Sequence, residues 1–138
     1  MQLTRAADYA VRVMVTLAGR PPGARASHTE LADAVECPRP FLAKVLQRLT
    51  RAGLVLSHRG NVGGYELKKS RRSATVLQVV EAVEGPLLLN VCTGKRRNCR
   101  LQDSCSAQAY WARSQAAVIQ VLSSARVDEL AKREERQR

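Results

Sequence analysis

The fold of this chain is decided by one stretch, Pro38-Arg39-Pro40-Phe41-Leu42-Ala43-Lys44-Val45-Leu46-Gln47-Arg48-Leu49. Its apolar residues recur at spacings of three and four, which predicts a short helix with one buried face: Phe41, Leu42, Val45, Leu46 and Leu49. Proline fits the first turn of such a helix, and Gly53 predicts its end. The opposite face is basic and carries an amide, a combination that the major groove of DNA accepts.

Two further helices are predicted before this stretch. Ser27 and Glu30 have the spacing of a capping box, in which each side chain bonds the backbone N–H of the other residue. The helix that they open ends near Cys37, which we expect to be a small buried residue of the following turn. Helix, short turn and basic helix form the helix-turn-helix pattern. Apolar residues between Leu3 and Leu17 predict a supporting first helix, for which Thr4 is the cap.

The sequence after Gly53 changes to an alternating pattern. Residues 54–57 and 65–67 predict two strands, joined by the glycine-rich turn 59–64. A hairpin directly after a recognition helix is a wing, and Arg59 lies just before its tip, where a guanidinium can enter a minor groove. The glycine spacing matches neither a P-loop nor a dinucleotide fingerprint. The basic run 68–72 either contacts phosphates or stays in solvent.

The C-terminal part is predicted to be a helix, a loop and a long helix. Thr75 opens a second capping box, and Gly85-Pro86 ends the helix that follows. Residues 87–104 show no clear period. A last helix is predicted over 105–131, with Asp103 or Ser104 as its cap, and the charged tail 132–138 is expected to fray. Its apolar stripe needs a partner surface, and we expect a two-fold homodimer through Trp111, Val118, Val121, Leu122 and Ala125.

Composition narrows the class of protein. The formal net charge is +11, which indicates a polyanion as partner, with nucleic acid first and a membrane surface second. Aromatic residues make up 4% of the chain, which disfavours a single-strand binder that stacks bases. No apolar run is long enough to span a bilayer, and the N-terminus lacks the core of a signal peptide. We therefore expect a cytoplasmic protein without a membrane partner. The absence of a nucleophile–base pair and of a cofactor fingerprint argues against an enzyme.

Three of the four cysteines lie within fourteen residues: Cys92, Cys99 and Cys105. In the cytosol such thiols more often bind metal or act in redox chemistry than form structural disulfides. Thiolates favour iron–sulfur clusters, zinc and copper(I). Zinc prefers paired Cys-x-x-Cys spacing and a fourth donor, whereas a thiol–disulfide switch needs no metal. Neighbouring cations would favour thiolate over thiol: Lys95, Arg96, Arg97 and Arg100.

Several motifs carry a resemblance to a known family. The most specific is Arg59-Gly60 followed by Gly63-Gly64-Tyr65-Glu66-Leu67. Further matches are Phe41-Leu42, Ala52-Gly53-Leu54-Val55 and Glu81-Ala82-Val83-Glu84-Gly85, together with the three cysteines and Trp111. With these motifs the chain resembles the Rrf-two family of bacterial winged-helix transcription regulators over nearly its whole length.

The resemblance agrees with a mainly α fold. It implies a winged helix-turn-helix domain with a two-stranded β wing over residues 1–85, a cysteine-bearing loop over 86–104, a dimerisation helix over 105–131 and a charged tail over 132–138. It also implies a homodimer that binds a palindromic operator in double-stranded DNA, as a repressor or activator. By this likeness the DNA contacts are Thr29, Pro38, Arg39, Pro40, Phe41, Lys44, Gln47, Arg48, Arg59, Gly60, Lys68 and Lys69.

The resemblance further implies an iron–sulfur cluster, 2Fe–2S or 4Fe–4S, that senses nitric oxide, redox or iron–sulfur status. Its ligands would be Cys92, Cys99 and Cys105, with Asp8 as the fourth. Gln108 stands where some members have a histidine, so that the protein ligand set is one donor short without Asp8. Three alternatives remain: a metal-free regulator controlled by thiol oxidation or a partner protein, an electron-transfer or cluster-carrier protein, and, for Asp8 alone, a surface ion pair at helical spacing.

Overall fold

The computed structural model describes residues 3–95 and 99–138. Its described part is mainly helical, with one two-stranded antiparallel sheet, which confirms the predicted fold class. The elements follow in the order α1 Arg5–Ala18, α2 His28–Val35, α3 Arg39–Arg51, β1 Val55–His58, β2 Gly64–Leu67, α4 Val76–Glu84, α5 Gln108–Ser124 and α6 Val127–Gln137. No described helix is both long and apolar enough to cross a lipid bilayer.

Three helices begin where the sequence predicts. The Thr4 side chain accepts a hydrogen bond from the backbone N–H of Ala7 at the start of α1. Ser27 and Glu30 form the reciprocal bonds of a capping box at α2, and Thr75 and Gln78 do the same at α4. These bonds satisfy backbone donors that the first turn of a helix leaves without a partner. All three predicted caps are confirmed.

Helix α1 is the centre of the hydrophobic core. Ala10, Val13 and Met14 are completely buried. The apolar face of α3 packs into the same core, as predicted for four of its five residues: Leu42, Val45, Leu46 and Leu49. The fifth residue, Phe41, is 38% exposed. Its ring packs edge-to-face with the ring of Tyr9, with 5.7 Å between the ring centroids, instead of entering the core.

The turn between α2 and α3 is tight. Glu36 adopts the left-handed conformation with φ of 52°, which few side chains adopt and which lets the backbone reverse within two residues. Cys37 follows it and is only 6% exposed, so that its predicted burial is confirmed. Desolvation raises the pKa of the Cys37 thiol above its ordinary value. This thiol is therefore less reactive than an exposed one, which fits a packing role.

The wing is attached to the rest of the domain by a third backbone segment. Strand β1 pairs with β2 in the register Val55 with Leu67 through His58 with Gly64. Tyr65 in β2 also pairs with Ala26, through N–H to carbonyl bonds of 2.8 and 2.9 Å. Because this segment crosses directly over Gly64, a Cβ atom there would lie 2.7 Å from the Ala26 carbonyl oxygen. Glycine is thus required by close packing of the backbone.

The predicted single helix over 105–131 is wrong in its start and its continuity. Helix α5 begins at Gln108, because the Ser104 hydroxyl donates to the Leu101 carbonyl instead of capping a helix. It ends at Ser124, and Arg126 is extended and pairs with Thr75 as an isolated antiparallel bridge. An extended residue interrupts the hydrogen bonds of an α-helix, so a second helix starts after it.

Helix α6 returns to the core. The backbone N–H of Val76 donates to the Ala125 carbonyl at 2.8 Å, and that of Val127 donates to the Ala74 carbonyl at 3.0 Å. These two bonds fix the direction of α6, which buries Val127 and Ala131 in the cluster around α1. The predicted frayed tail 132–138 is also wrong, since α6 remains helical to Gln137.

Candidate nucleic-acid interface and cysteine segment

The face of α3 opposite the core is exposed and basic. Lys44 and Gln47 project from it, about one and two turns of helix after Pro40. Most of the predicted contacts on this part of the domain are exposed: Thr29, Pro38, Arg39, Pro40, Lys44 and Gln47. Phe41 retains a partly exposed edge while it packs on Tyr9. The basic face of α3 can therefore enter a groove of DNA without any rearrangement of the core.

Two arginines that were expected near DNA have partners inside the domain. Arg48 donates from Nη1 to the Val83 carbonyl, 2.9 Å away in the last turn of α4. Arg72 donates to the carbonyls of Ala18, the last residue of α1, and of Arg20, at 2.6 and 3.1 Å. Cations at helix C-termini satisfy open carbonyls and oppose the helix dipole. The run 68–72 is therefore divided, with Arg72 used structurally and Lys68 and Lys69 left exposed.

The wing lies beside α3 and carries the predicted Arg59 and Gly60 at its exposed end. A groove separates the two elements, lined by Ala43, Gln47, Thr50 and Arg51 of α3 and by Ser57 and Tyr65 of the wing. A recognition helix and a wing on either side of a groove can contact adjacent grooves of one duplex. Ser57 and Tyr65 were not among the predicted DNA contacts, although their pairing across the strands follows from the alternating pattern.

Contacts among three polar side chains hold the turn end of the wing. The imidazole Nε2 of His58 lies 2.8 Å from Oε2 of Glu66, and the guanidinium Nε of Arg25 lies 4.0 Å from the same oxygen. Arg25 also donates from Nη1 to the Val62 carbonyl at 2.9 Å. These contacts join the wing to the segment before α2. They position the neighbouring Arg59, and sequence patterns alone gave no signal for them.

The three clustered cysteines are free thiols with different exposure. Cys92 and Cys99 are half-buried, and Cys105 is exposed. Cys92 lies in a one-turn 3-10 helix, Val91–Thr93. In the described ranges 3–95 and 99–138, no three His, Cys, Asp or Glu side chains lie close enough together to hold a metal ion. Two of the cations predicted beside the thiols, Arg96 and Arg97, fall outside the described residues, whereas Lys95 and Arg100 are exposed.

The donor set fits an iron–sulfur cluster by its chemistry. Each thiol is accessible and unpaired, and thiolate sulfur is the donor that such clusters use. Three thiols leave one coordination position for another donor. The fourth predicted ligand, Asp8, is exposed and forms an ion pair with Arg12, with 3.1 Å between Oδ2 and Nη2. The alternative of a surface pair at i,i+4 spacing is therefore present, and Asp8 as a ligand stays a prediction.

The predicted dimer stripe of α5 is divided between two environments. Val118 and Leu122 pack with Ile119 against a small cluster of Ala7, Val80 and Leu87 within the same chain. Ala125 lies in the break before α6. Trp111 and Val121 remain exposed, at 44% and 65%. Tyr110, which was not among the predicted dimer residues, is 66% exposed on the same side as Val121.

Comparison with known proteins decides the family. A family model with the description "iron-dependent transcriptional regulator", Rrf2, matches residues 3–133. The chain belongs to the Rrf2 family. The resemblance inferred from the sequence is thereby confirmed, and this Rrf2 protein is a DNA-binding transcriptional regulator.

Individual relatives support the assignment. The Rrf2 chain is 31% identical over 136 residues to the HTH-type transcriptional regulator NsrR of Shouchella clausii, with 98% of this chain and 91% of NsrR covered. It superimposes on T. potens IscR with a TM-score of 0.74 and 26% identity, covering 100% and 92% of the two chains. CymR, the global cysteine regulator of B. subtilis, has a TM-score of 0.75 at 24% identity, with 96% and 97% covered, which shows the shared fold alone.

The wing glycines of this Rrf2 regulator allow a matched stability test. Gly64 has φ of +135° and the Ala26 carbonyl against its missing side chain, whereas Gly60 has φ of +98° and nothing within 4 Å. We expect Gly64→Ala to lower the free energy of unfolding by about 3 kcal/mol and Gly60→Ala by about 1 kcal/mol, since only the first adds a clash to the strained φ. Urea unfolding of both variants measures the difference. Equal losses would contradict the close backbone approach at Gly64.

Proposed function

We propose that this regulator binds a palindromic operator as a homodimer, represses transcription from it, and changes its affinity with the state of an iron–sulfur cluster. The single observation that carries the proposal is the attachment of a segment with three free thiols to the winged helix-turn-helix domain through α5. A sensor needs a reactive site that is connected to its DNA-binding elements, and this arrangement supplies both.

The DNA contacts follow from the exposed face of α3 and from the wing. Lys44 and Gln47 are exposed on α3, where a major groove would meet them, and an amide can bond two atoms of one adenine edge. Arg59 lies at the wing end, where a narrow minor groove attracts a guanidinium. Lys68 and Lys69, at the other end of the wing, are suited to phosphates. The first three residues would read sequence, and the last two would add affinity for any DNA.

Two substitutions separate these roles. Arg59→Ala should weaken operator binding by about 1–3 kcal/mol and affect random DNA less, because a groove contact depends on sequence. Lys69→Ala should weaken binding to operator and to random DNA alike, because one phosphate contact is lost. It should also lower the slope of log affinity against log salt concentration by about 1. Gel-shift titrations at several salt concentrations measure both effects. Equal losses on operator and random DNA for Arg59→Ala would exclude it from sequence readout.

The dimer would form through the exposed side of α5. Tyr110, Ser114, Ala117 and Val121 follow one another at spacings of three and four and share that side of the helix. Small residues between larger apolar ones let two helices approach closely. A palindromic operator requires two recognition helices about one DNA turn apart, which a two-fold axis near α5 would provide.

The cluster would be held by Cys92, Cys99 and Cys105, with Asp8 as the fourth ligand from the same or the other subunit. When bound, such a cluster supplies iron that reacts with nitric oxide or oxygen and that changes charge on reduction. A carboxylate oxygen is a harder donor than thiolate, so the iron at Asp8 would be the most open to attack. Asp8 would have to leave its ion pair with Arg12, which is worth only about 0.3–0.5 kcal/mol at an exposed helical position.

Anaerobic reconstitution tests the ligand set. We expect visible charge-transfer absorption and bound iron in the wild-type protein, and loss of both in Cys92→Ser, Cys99→Ser and Cys105→Ser. Cys37→Ala is the matched control, because this buried thiol lies in the helix-turn-helix turn. Asp8→Ala should keep the absorption, shorten the lifetime of the cluster and alter its response to nitric oxide. An unchanged lifetime and response would remove Asp8 from the ligand set.

A second candidate is a metal-free regulator that responds to thiol oxidation. The observation that favours it is that, among the described residues, no three metal-binding side chains come together. In that case anaerobic reconstitution would give no absorption beyond that of protein, and mild oxidation would change operator affinity in a way that a reductant reverses. Cys105→Ser would be the informative variant, since this thiol is exposed.

A further inference from the structure

The turn that contains Cys92 is a closed hydrogen-bonded unit. The Asn90 side chain accepts from the Val91 backbone N–H at 2.8 Å, and the Thr93 hydroxyl donates to the Asn90 carbonyl at 2.7 Å. The Asn90 N–H in turn donates to the Thr93 hydroxyl at 3.2 Å. With the ends of the turn fixed to each other, its orientation depends on whatever attaches it to the rest of the protein.

One side chain of α5 makes that attachment at both ends of the turn. Oε1 of Gln115 accepts from the Leu89 backbone N–H at 2.9 Å, and its Nε2 donates to the Thr93 carbonyl at 3.2 Å. Both contacts are partly buried. A carboxamide carries an acceptor and a donor on one planar group, so the single Gln115 side chain can make both bonds.

We propose that Gln115 positions Cys92, by holding the Leu89–Thr93 turn onto α5 through both ends of its carboxamide. The cluster part of this inference rests on the proposed function, in which Cys92 is a ligand. Side chains that orient a ligand from behind often change metal affinity about 10–100-fold when they are replaced.

Gln115 also links the thiol to the core of the domain. It lies on the inward side of α5, one and two turns before Ile119 and Leu122, which pack against the cluster of Ala7, Val80 and Leu87. A displacement of the Cys92 turn would therefore reach α5 through Gln115, and then the cluster that joins Val80 of α4 to Ala7 of α1. Gln115 falls at helical spacing between Trp111 and Val118, and a polar residue within that apolar stripe is the signal by which the sequence could have indicated this role.

Two substitutions of Gln115 separate its two bonds in the reduced, metal-free protein. Gln115→Leu removes both, so the Leu89 amide should exchange its hydrogen about tenfold faster and Cys92 should react severalfold faster with iodoacetamide. Gln115→Glu keeps the acceptor and should preserve Leu89 protection, while its carboxylate repels the Thr93 carbonyl and still raises Cys92 reactivity. Gln120→Leu, the same change on the exposed side of α5, is the matched control.

Alkylation of Cys105 by iodoacetamide distinguishes release of the Cys92 turn from unfolding of the protein. Its rate should equal that of the wild type in each variant. Leu89 exchange and Cys92 alkylation within twofold of wild type in Gln115→Leu would overturn the inference, as would equal changes in Gln120→Leu.

In reconstituted protein the cluster should decay about tenfold faster in Gln115→Leu. An unchanged decay beside a stable wild-type cluster would refute the positioning role. A wild-type protein that takes up no cluster would refute the proposed function, while the metal-free measurements would still decide the attachment.

Discussion

Val127→Asp is expected to remove most of the stability of the domain. Val127 is completely buried at the start of α6, in the same cluster as the core of α1. A carboxylate there must either lose its hydration or take up a proton, at a cost of at least about 4 kcal/mol. Domains of this size are stable by only about 5–15 kcal/mol. Urea unfolding followed by circular dichroism measures the loss.

Val62→Asp is the control for this prediction, because it makes the same chemical change at a wing residue that is 81% exposed. It should alter stability by no more than about 0.5 kcal/mol. Similar midpoints for the two variants would mean that α6 does not belong to the core.

Val121→Asp is expected to dissociate the proposed homodimer. A charge in the centre of an apolar helix–helix contact should raise the dimer dissociation constant about 100-fold, equivalent to roughly 3 kcal/mol. Sedimentation at micromolar concentration should then show monomers. Operator affinity should fall with it, because each monomer carries a single recognition helix.

Two neighbouring positions on α5 test where the interface lies. Gln120→Asp puts the same charge one residue away on an exposed side, and this variant should remain dimeric. Val118→Asp should reduce folding stability more than dimerisation, since Val118 packs on the cluster of Ala7, Val80 and Leu87 in its own chain. A fully dimeric Val121→Asp protein would place the interface on another surface.

The N-terminal half could be predicted from the sequence because its signals are local. Caps at Thr4, Ser27 and Thr75 fix helix starts within one turn of chain, and the glycine-rich stretch fixes the wing. Periodicity likewise indicates which face of α3 is buried. These features depend on residues that are close together in the sequence, so short sequence patterns predict them.

The C-terminal half could not be predicted in the same way, because long-range contacts decide it. The break between α5 and α6 comes from backbone bonds to residues 74–76, some fifty positions earlier in the chain. Arg48 was expected to face DNA, yet its bond to the Val83 carbonyl depends on how α3 and α4 cross. The bonds of Gln115 to the Cys92 turn likewise appear only when the loop is folded against α5.

The return of α6 to α1 has a consequence for synthesis of the protein on the ribosome. The core around α1 is completed by two side chains of α6, Val127 and Ala131, so it stays open until α6 has been synthesised. Contacts between residues so far apart in sequence form late, after the loop between them has closed. A nascent or prematurely terminated chain would therefore carry the recognition helix on an incompletely folded domain. Stable occupancy of an operator would be reserved for chains in which α6 has joined the core.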